Sequence, residues 1–155
     1  MPALPPASNL SSIPQEQQVQ VLDTLFEPSP ELHALMDPVL RSESFSSYIG
    51  LIDAVRYQLA ALLKPQLPTD RQILVKVLGS HPRLGRPPPT TGDGGAEPLS
   101  ELSEKEQGSL GTSATDKQME RLSQLNLDYE EKFPGLRFVY VVPGRFISPS
   151  GYSSN

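Results

Sequence analysis

Histidine is the side chain best suited to moving protons near neutral pH, and this chain has only two, His33 and His81. His81 stands in Ser80-His81-Pro82, directly after a helical pattern that runs from Thr69 to Gly79. The negative end of a helix dipole suits a proton donor placed there, and Pro82 stiffens the backbone beside it. Position alone also fits an ordinary loop histidine, because helix-end effects fade beyond the last turn. His33 falls off the apolar stripe of its own helix and is set aside.

Ser103-Glu104-Lys105-Glu106-Gln107 is the second candidate. Ser103 and Glu106 have the three-residue spacing of a capping box, so by pattern alone Glu106 reads as a helix cap as well as an acid or base. Asn126 is the third, since it interrupts an apolar face between Leu122 and Tyr129. A buried amide there must find hydrogen-bond partners, either in a site or from the backbone.

Composition narrows the chemistry. With no cysteine and two histidines, no disulfide framework, thiolate nucleophile or usual zinc constellation can be assembled. Catalysis must then use histidine, carboxylates, hydroxyls or backbone dipoles. A net charge of −5 with scattered lysines and arginines opposes nucleic-acid binding, which depends on clustered cations. No run approaches the roughly 18 apolar residues of a membrane span, and the N-terminus lacks a basic start and an apolar core. A soluble intracellular protein is expected, and the ending Ser153-Ser154-Asn155 is not a peroxisomal tripeptide.

The elements that must position these residues are helices punctuated by proline. Ser12-Ile13-Pro14 opens a first helix carrying Val19, Leu22, Leu25 and Phe26, with Ser12 as its cap. Ser29-Pro30 opens a second, with Leu32, Leu35, Met36, Val39 and Leu40 on one stripe and Pro38 expected to kink or shorten it. A third runs from Ser47 to Pro65 on Ile49, Ile52, Val55, Leu59, Leu62 and Leu63. In the fourth, Thr69 to Gln72 has capping-box form and Gly79 stands where a helix-ending glycine belongs.

Residues 83–99 lack periodicity and read as a mobile surface loop. A short helix is expected near Ser103, and a long one from Ala114 to Phe133 with Met119, Leu122, Leu125, Asn126, Tyr129 and Phe133 on one face. Leu136 to Val142 is β-like but has no partner strand, so it is expected as an extended segment laid across helices. The expected fold is all-α: a single-domain helical bundle over residues 11–145 between a disordered tail at 1–10 and an irregular one at 146–155.

Taken in order, Ser80-His81-Pro82-Arg83-Leu84-Gly85, Leu99, Ser103-x-x-Glu106-Gln107, Leu125-Asn126-x-x-Tyr129, Phe133, Phe138-Val139 and Gly144-Arg145 are similar to the signature of the 2-oxo-4-hydroxy-4-carboxy-5-ureidoimidazoline (OHCU) decarboxylases. Leu25-Phe26-Glu27-Pro28-Ser29-Pro30 and Ile52-Asp53-Ala54 resemble the fungal branch of that family.

The resemblance implies decarboxylation of the ureidoimidazoline to (S)-allantoin in urate breakdown, without metal or organic cofactor. It makes His81 the acid/base and Glu106 its partner, with Pro82, Ser103, Glu104, Lys105 and Gln107 lining the substrate. The backbone of Val139, Tyr140, Val141, Val142 and Pro143 is expected to bind substrate as well. The only partners implied are a small-molecule substrate and a second copy in a homodimer. Loss of carbon dioxide leaves charge that can spread as an enolate, so hydrogen bonds and one stereoselective proton suffice.

Family members continue past the Gly-Arg pair into C-terminal helices, one with an arginine for the substrate carboxylate. A chain lacking them is expected to be marginally stable or prone to associate, with weak or absent activity; should it prove stable and fully active, Arg145 becomes the best substitute for that arginine. The alternative is a non-catalytic relative that serves as a helical interaction module.

Overall fold

The computed structural model describes residues 4–64, 67–83 and 115–139, all helix and connection with no strand among them. A 3-10 helix, Ala7–Ser12, is followed by α1 (Gln15–Leu25), α2 (Pro30–Ser42), α3 (Tyr48–Leu62), α4 (Pro68–Gly79) and α5 (Asp116–Lys132). The all-α expectation holds. The extended segment is seen from Leu136 to Val139, without regular secondary structure. Its continuation, most of the 83–99 loop and the short helix near Ser103 lie outside the described residues.

The centre of the fold is α2, which packs against the 3-10 helix, α1, α3 and α4. Its N-terminus forms because Ser29 accepts a hydrogen bond from Leu32 N–H at 3.3 Å and Pro30 presets the first helical dihedral. Leu32, Met36, Val39 and Leu40 are buried as one stripe. Pro38 does not shorten the helix, which runs on to Ser42. The break comes at Glu43, whose backbone is extended.

Helix α3 corrects the stripe read from its sequence. Leu51 and Val55 carry the burial, whereas Ile49 is 72% exposed and Ile52 and Leu63 are also open to solvent. Apolar residues stand on several faces of this helix, so period alone does not single out the face that meets α2. Ser47 caps it, accepting from Gly50 N–H at 3.3 Å.

Two caps also fall elsewhere than expected. The Ser12 hydroxyl donates to Asn9 carbonyl oxygen at 2.8 Å, closing the 3-10 helix, and α1 begins after Pro14 with no side-chain cap. In α4, Pro68 takes the first helical position and the Asp70 carboxylate accepts from Leu67 N–H at 3.0 Å. Thr69 is therefore inside the helix. In both cases proline, preset for the first turn, fixes the start.

The tail expected over residues 1–10 is, from Leu4 onward, part of the body of the protein. Leu10 is fully buried, and the Gln18 side-chain amide donates to its carbonyl at 2.7 Å. Tyr48 hydroxyl donates to Pro5 carbonyl at 2.5 Å, and burial pushes that phenol up from its ordinary value. The buried apolar cluster joins Ala7 and Leu10 to Val21, Leu22, Leu32, Met36, Val39, Leu40, Phe45, Leu51 and Val55.

Gly79 is the last residue of α4, with Ser80 at the cap position. The reason for glycine there is close approach: a Cβ would stand 2.4 Å from the carbonyl oxygen of Gly135. Gly135, at φ +85°, faces Val75 in turn. This backbone contact seats the turn after α5 on the end of α4.

Candidate active site

The chain leaves α4 through Ser80, which satisfies two carbonyls of the last turn. Ser80 N–H lies 3.1 Å from Lys76 O and 3.3 Å from Val77 O, and its hydroxyl donates to Val77 O at 2.7 Å. His81 follows immediately, as the sequence implies, with its side chain 39% exposed. Pro82 is buried behind it. Nδ1 of His81 is 4.0 Å from Oε1 of Glu27, a carboxylate only 10% exposed.

Glu27 belongs to the short connection between α1 and α2. Phe26 ends α1 in extended backbone and Ser29 caps α2, so the connection is fixed at both ends. Four residues on, Glu31 pairs with Lys76 of α4 at 3.1 Å, and that lysine holds its carboxyl below the ordinary range. The start of α2 thus turns carboxylates toward the end of α4, where Lys76 and His81 answer them.

On its other side the His81-Pro82 segment is tied to α5. Arg83 Nε donates to Glu130 Oε1 at 2.6 Å, and Arg83 Nη2 to Glu130 Oε2. Arg137 Nη1 lies 3.9 Å from the same carboxylate. The hydrogen bond from Arg83 holds Glu130 below its ordinary value of 4.5, partly opposed by burial and assisted by the charges of both arginines. Beside this cluster Tyr129 contacts the rings of Phe133 and Phe138, at 4.9 and 5.7 Å between centroids.

The α5 helix itself starts from a reciprocal cap. Thr115 Oγ1 accepts from Gln118 N–H at 3.4 Å, and Gln118 Oε1 accepts from Thr115 N–H at 2.9 Å. Asn126 is buried on this helix, as its place in the apolar face implies. No buried side-chain polar atom among the described residues lacks a hydrogen-bond partner. Leu125 and Phe133, expected on the same face, are about half exposed.

Of the other residues expected in the site, Val139 is half exposed at the end of the extended segment. Ser103, Glu104, Lys105, Glu106, Gln107, Tyr140, Val141, Val142, Pro143 and Arg145 lie outside the described residues.

His33, set aside on periodicity, is engaged. Its Nε2 lies 2.6 Å from Oδ1 of Asp23, the ring N–H donating and the carboxylate accepting, which ties α2 to α1. The signal that could have found it is the spacing of two half-polar positions across one short connection. An apolar groove on α3 and α4, lined by Phe26, Ile52, Leu59, Leu63, Leu74 and Leu78, includes only Arg56 as an ionisable group. It contains neither histidine and no acid or base that titrates near neutrality.

Among the described residues no group of histidines and carboxylates could hold a metal ion, and no helix is long and apolar enough to cross a membrane. An all-α domain that holds a half-open imidazole near a nearly buried carboxylate has the parts of a general acid–base protein. The family model for OHCU decarboxylase matches residues 11–147, and the chain belongs to that family, whose activity is decarboxylation in urate degradation. No curated protein and no solved structure matches it.

Proposed function

We propose that the chain decarboxylates 2-oxo-4-hydroxy-4-carboxy-5-ureidoimidazoline to (S)-allantoin, with His81 carrying the proton and no cofactor. The observation that carries this reading is the family match across residues 11–147, in a chain whose His81 stands half open beyond α4. The substrate's carboxylate leaves as carbon dioxide, and the charge left on the ring spreads as an enolate. The imidazole then delivers a proton to one face of the ring carbon, fixing the hand of the product.

In this reading Glu106 is the partner of His81, and Ser103 to Gln107 grip the ring. Pro82 forms a wall of the pocket, and backbone groups from Val139 to Pro143 hold the substrate's polar edge. Arg145 is the cation assigned to the substrate carboxylate, and the working assembly is a homodimer.

The test is stereospecific product formation, followed by circular dichroism of allantoin on freshly generated substrate. His81→Ala should lower kcat by about 100-fold or more, the usual share of a positioned acid or base, with the far-UV spectrum unchanged. Wild-type turnover in that variant removes His81 from the chemistry.

A further inference from the structure

If His81 is the proton carrier, as proposed above, something must hold it in place, and α4 ends before it. The segment that carries it has one buried neighbour, Pro82, and then Arg83. Arg83 is gripped at two points by Glu130, and both side chains are mostly out of solvent, at 17% and 22% exposure. The same carboxylate lies 3.9 Å from Arg137, on the extended segment that leads to Val139. One carboxylate thus faces the two pieces of chain, far apart in sequence, that the proposed site requires to converge.

We propose that Glu130 is a positioning residue for His81, acting through its two-point pairing with Arg83. Its grip fixes the backbone two residues beyond the imidazole, and its proximity to Arg137 keeps the substrate-facing segment in register with that imidazole. A planar guanidinium paired with both carboxylate oxygens resists rotation as well as separation, which a single contact does not. The lowered carboxyl of Glu130 keeps it charged at neutral pH, so the grip is present under working conditions. Gly79 and Gly135 meet at the same junction, which limits how far α4 and the turn after α5 can slide.

The chain's two histidines make the test direct. In a sample carrying labelled imidazoles, NMR reports His33 and His81 separately, with His33→Ala giving the assignment. Glu130→Gln should shift or broaden the His81 ring signals and leave those of His33 in place. In the decarboxylation assay it should lower kcat by about tenfold with little change in KM, as expected when a catalytic group is misplaced without loss of substrate contacts. The exchanged pair, Arg83→Glu with Glu130→Arg, made together with Arg137→Gln so that no like charge faces position 130, should return the His81 signals toward their original positions.

Unmoved His81 signals in Glu130→Gln overturn the proposal. So does an equal disturbance of both histidines with a lowered Tm, which marks general loosening, or an exchanged pair that restores nothing. If the wild-type chain forms no allantoin, the functional reading fails, and the imidazole signals still decide whether Glu130 positions His81.

Discussion

The two ends of the chain are held together by different forces. From Leu4 to Val55 the structure is an apolar cluster, with the 3-10 helix, α1, α2 and α3 each contributing fully or nearly fully buried side chains. Among the described residues around His81 burial is sparser: Pro82 is buried, α4 has no buried residue and α5 has only Met119 and Asn126. Paired charges and a glycine-to-glycine backbone contact join the elements there. Apolar burial is strong and non-directional, whereas ion pairs and close contacts are weaker but fix orientation. The histidine proposed above as the proton carrier sits where orientation is specified.

The largest way to break this contrast is in the apolar half. Met36 is fully buried at the centre of α2, and Met36→Ala should cost about 2–5 kcal/mol in urea unfolding. A loss below about 1 kcal/mol would mean that the cluster is less tightly packed than its burial implies.

Next is the backbone contact. Gly79→Ala sets a methyl group 2.4 Å from a carbonyl oxygen that has no side-chain freedom to yield. It should cost about 1–3 kcal/mol and lower the Tm, although alanine is the better helix former. An unchanged or raised Tm would show that α4 and the turn after α5 part easily.

The smallest effect comes from the ion pair, and pH sharpens it. Glu130→Gln should destabilise the chain at neutral pH by on the order of 1 kcal/mol, since the pair keeps some contact with water. The folded carboxyl is depressed, so its stabilisation is full above the ordinary value of 4.5 and is lost as pH falls through the lower folded value. The gap between wild type and variant should therefore close in acid. A gap that stays constant below pH 4.5 would remove the charge of Glu130 from the account.

Sequence legibility follows the same divide. The stripe of α2 is readable because its remaining positions are largely polar, so Leu32, Met36, Val39 and Leu40 have one arrangement that buries them. In α3 the apolar residues crowd several faces, and only contact with α2 selects Leu51 and Val55 over Ile49. The place of His81 just beyond α4 is a local fact, written in the helical pattern and the Gly79-Ser80-His81-Pro82 stop. Its neighbours are not local. Glu27 reaches it across three helices of sequence, and Arg83 finds Glu130 across 47 positions, a pairing that leaves no mark on periodicity. The glycine at 79 is legible as a residue type, but its reason, the carbonyl of Gly135, exists only once α4 and α5 have met.

The boundaries of the buried cluster bear on how the protein is made. Among the described residues its fully packed members run from Ala7 to Val55, and of the partly buried side chains against them only Leu59 and Val77 come later. A nascent chain therefore holds the apolar scaffold in its first third, joined by contacts of modest sequence separation, the kind that forms fast. N-terminal portions fold first during synthesis, so that scaffold can close while the ribosome is still adding the segment that carries His81. Glu27 is then already in place on that body when His81 is added, and Glu130, made later, brings the partner of Arg83.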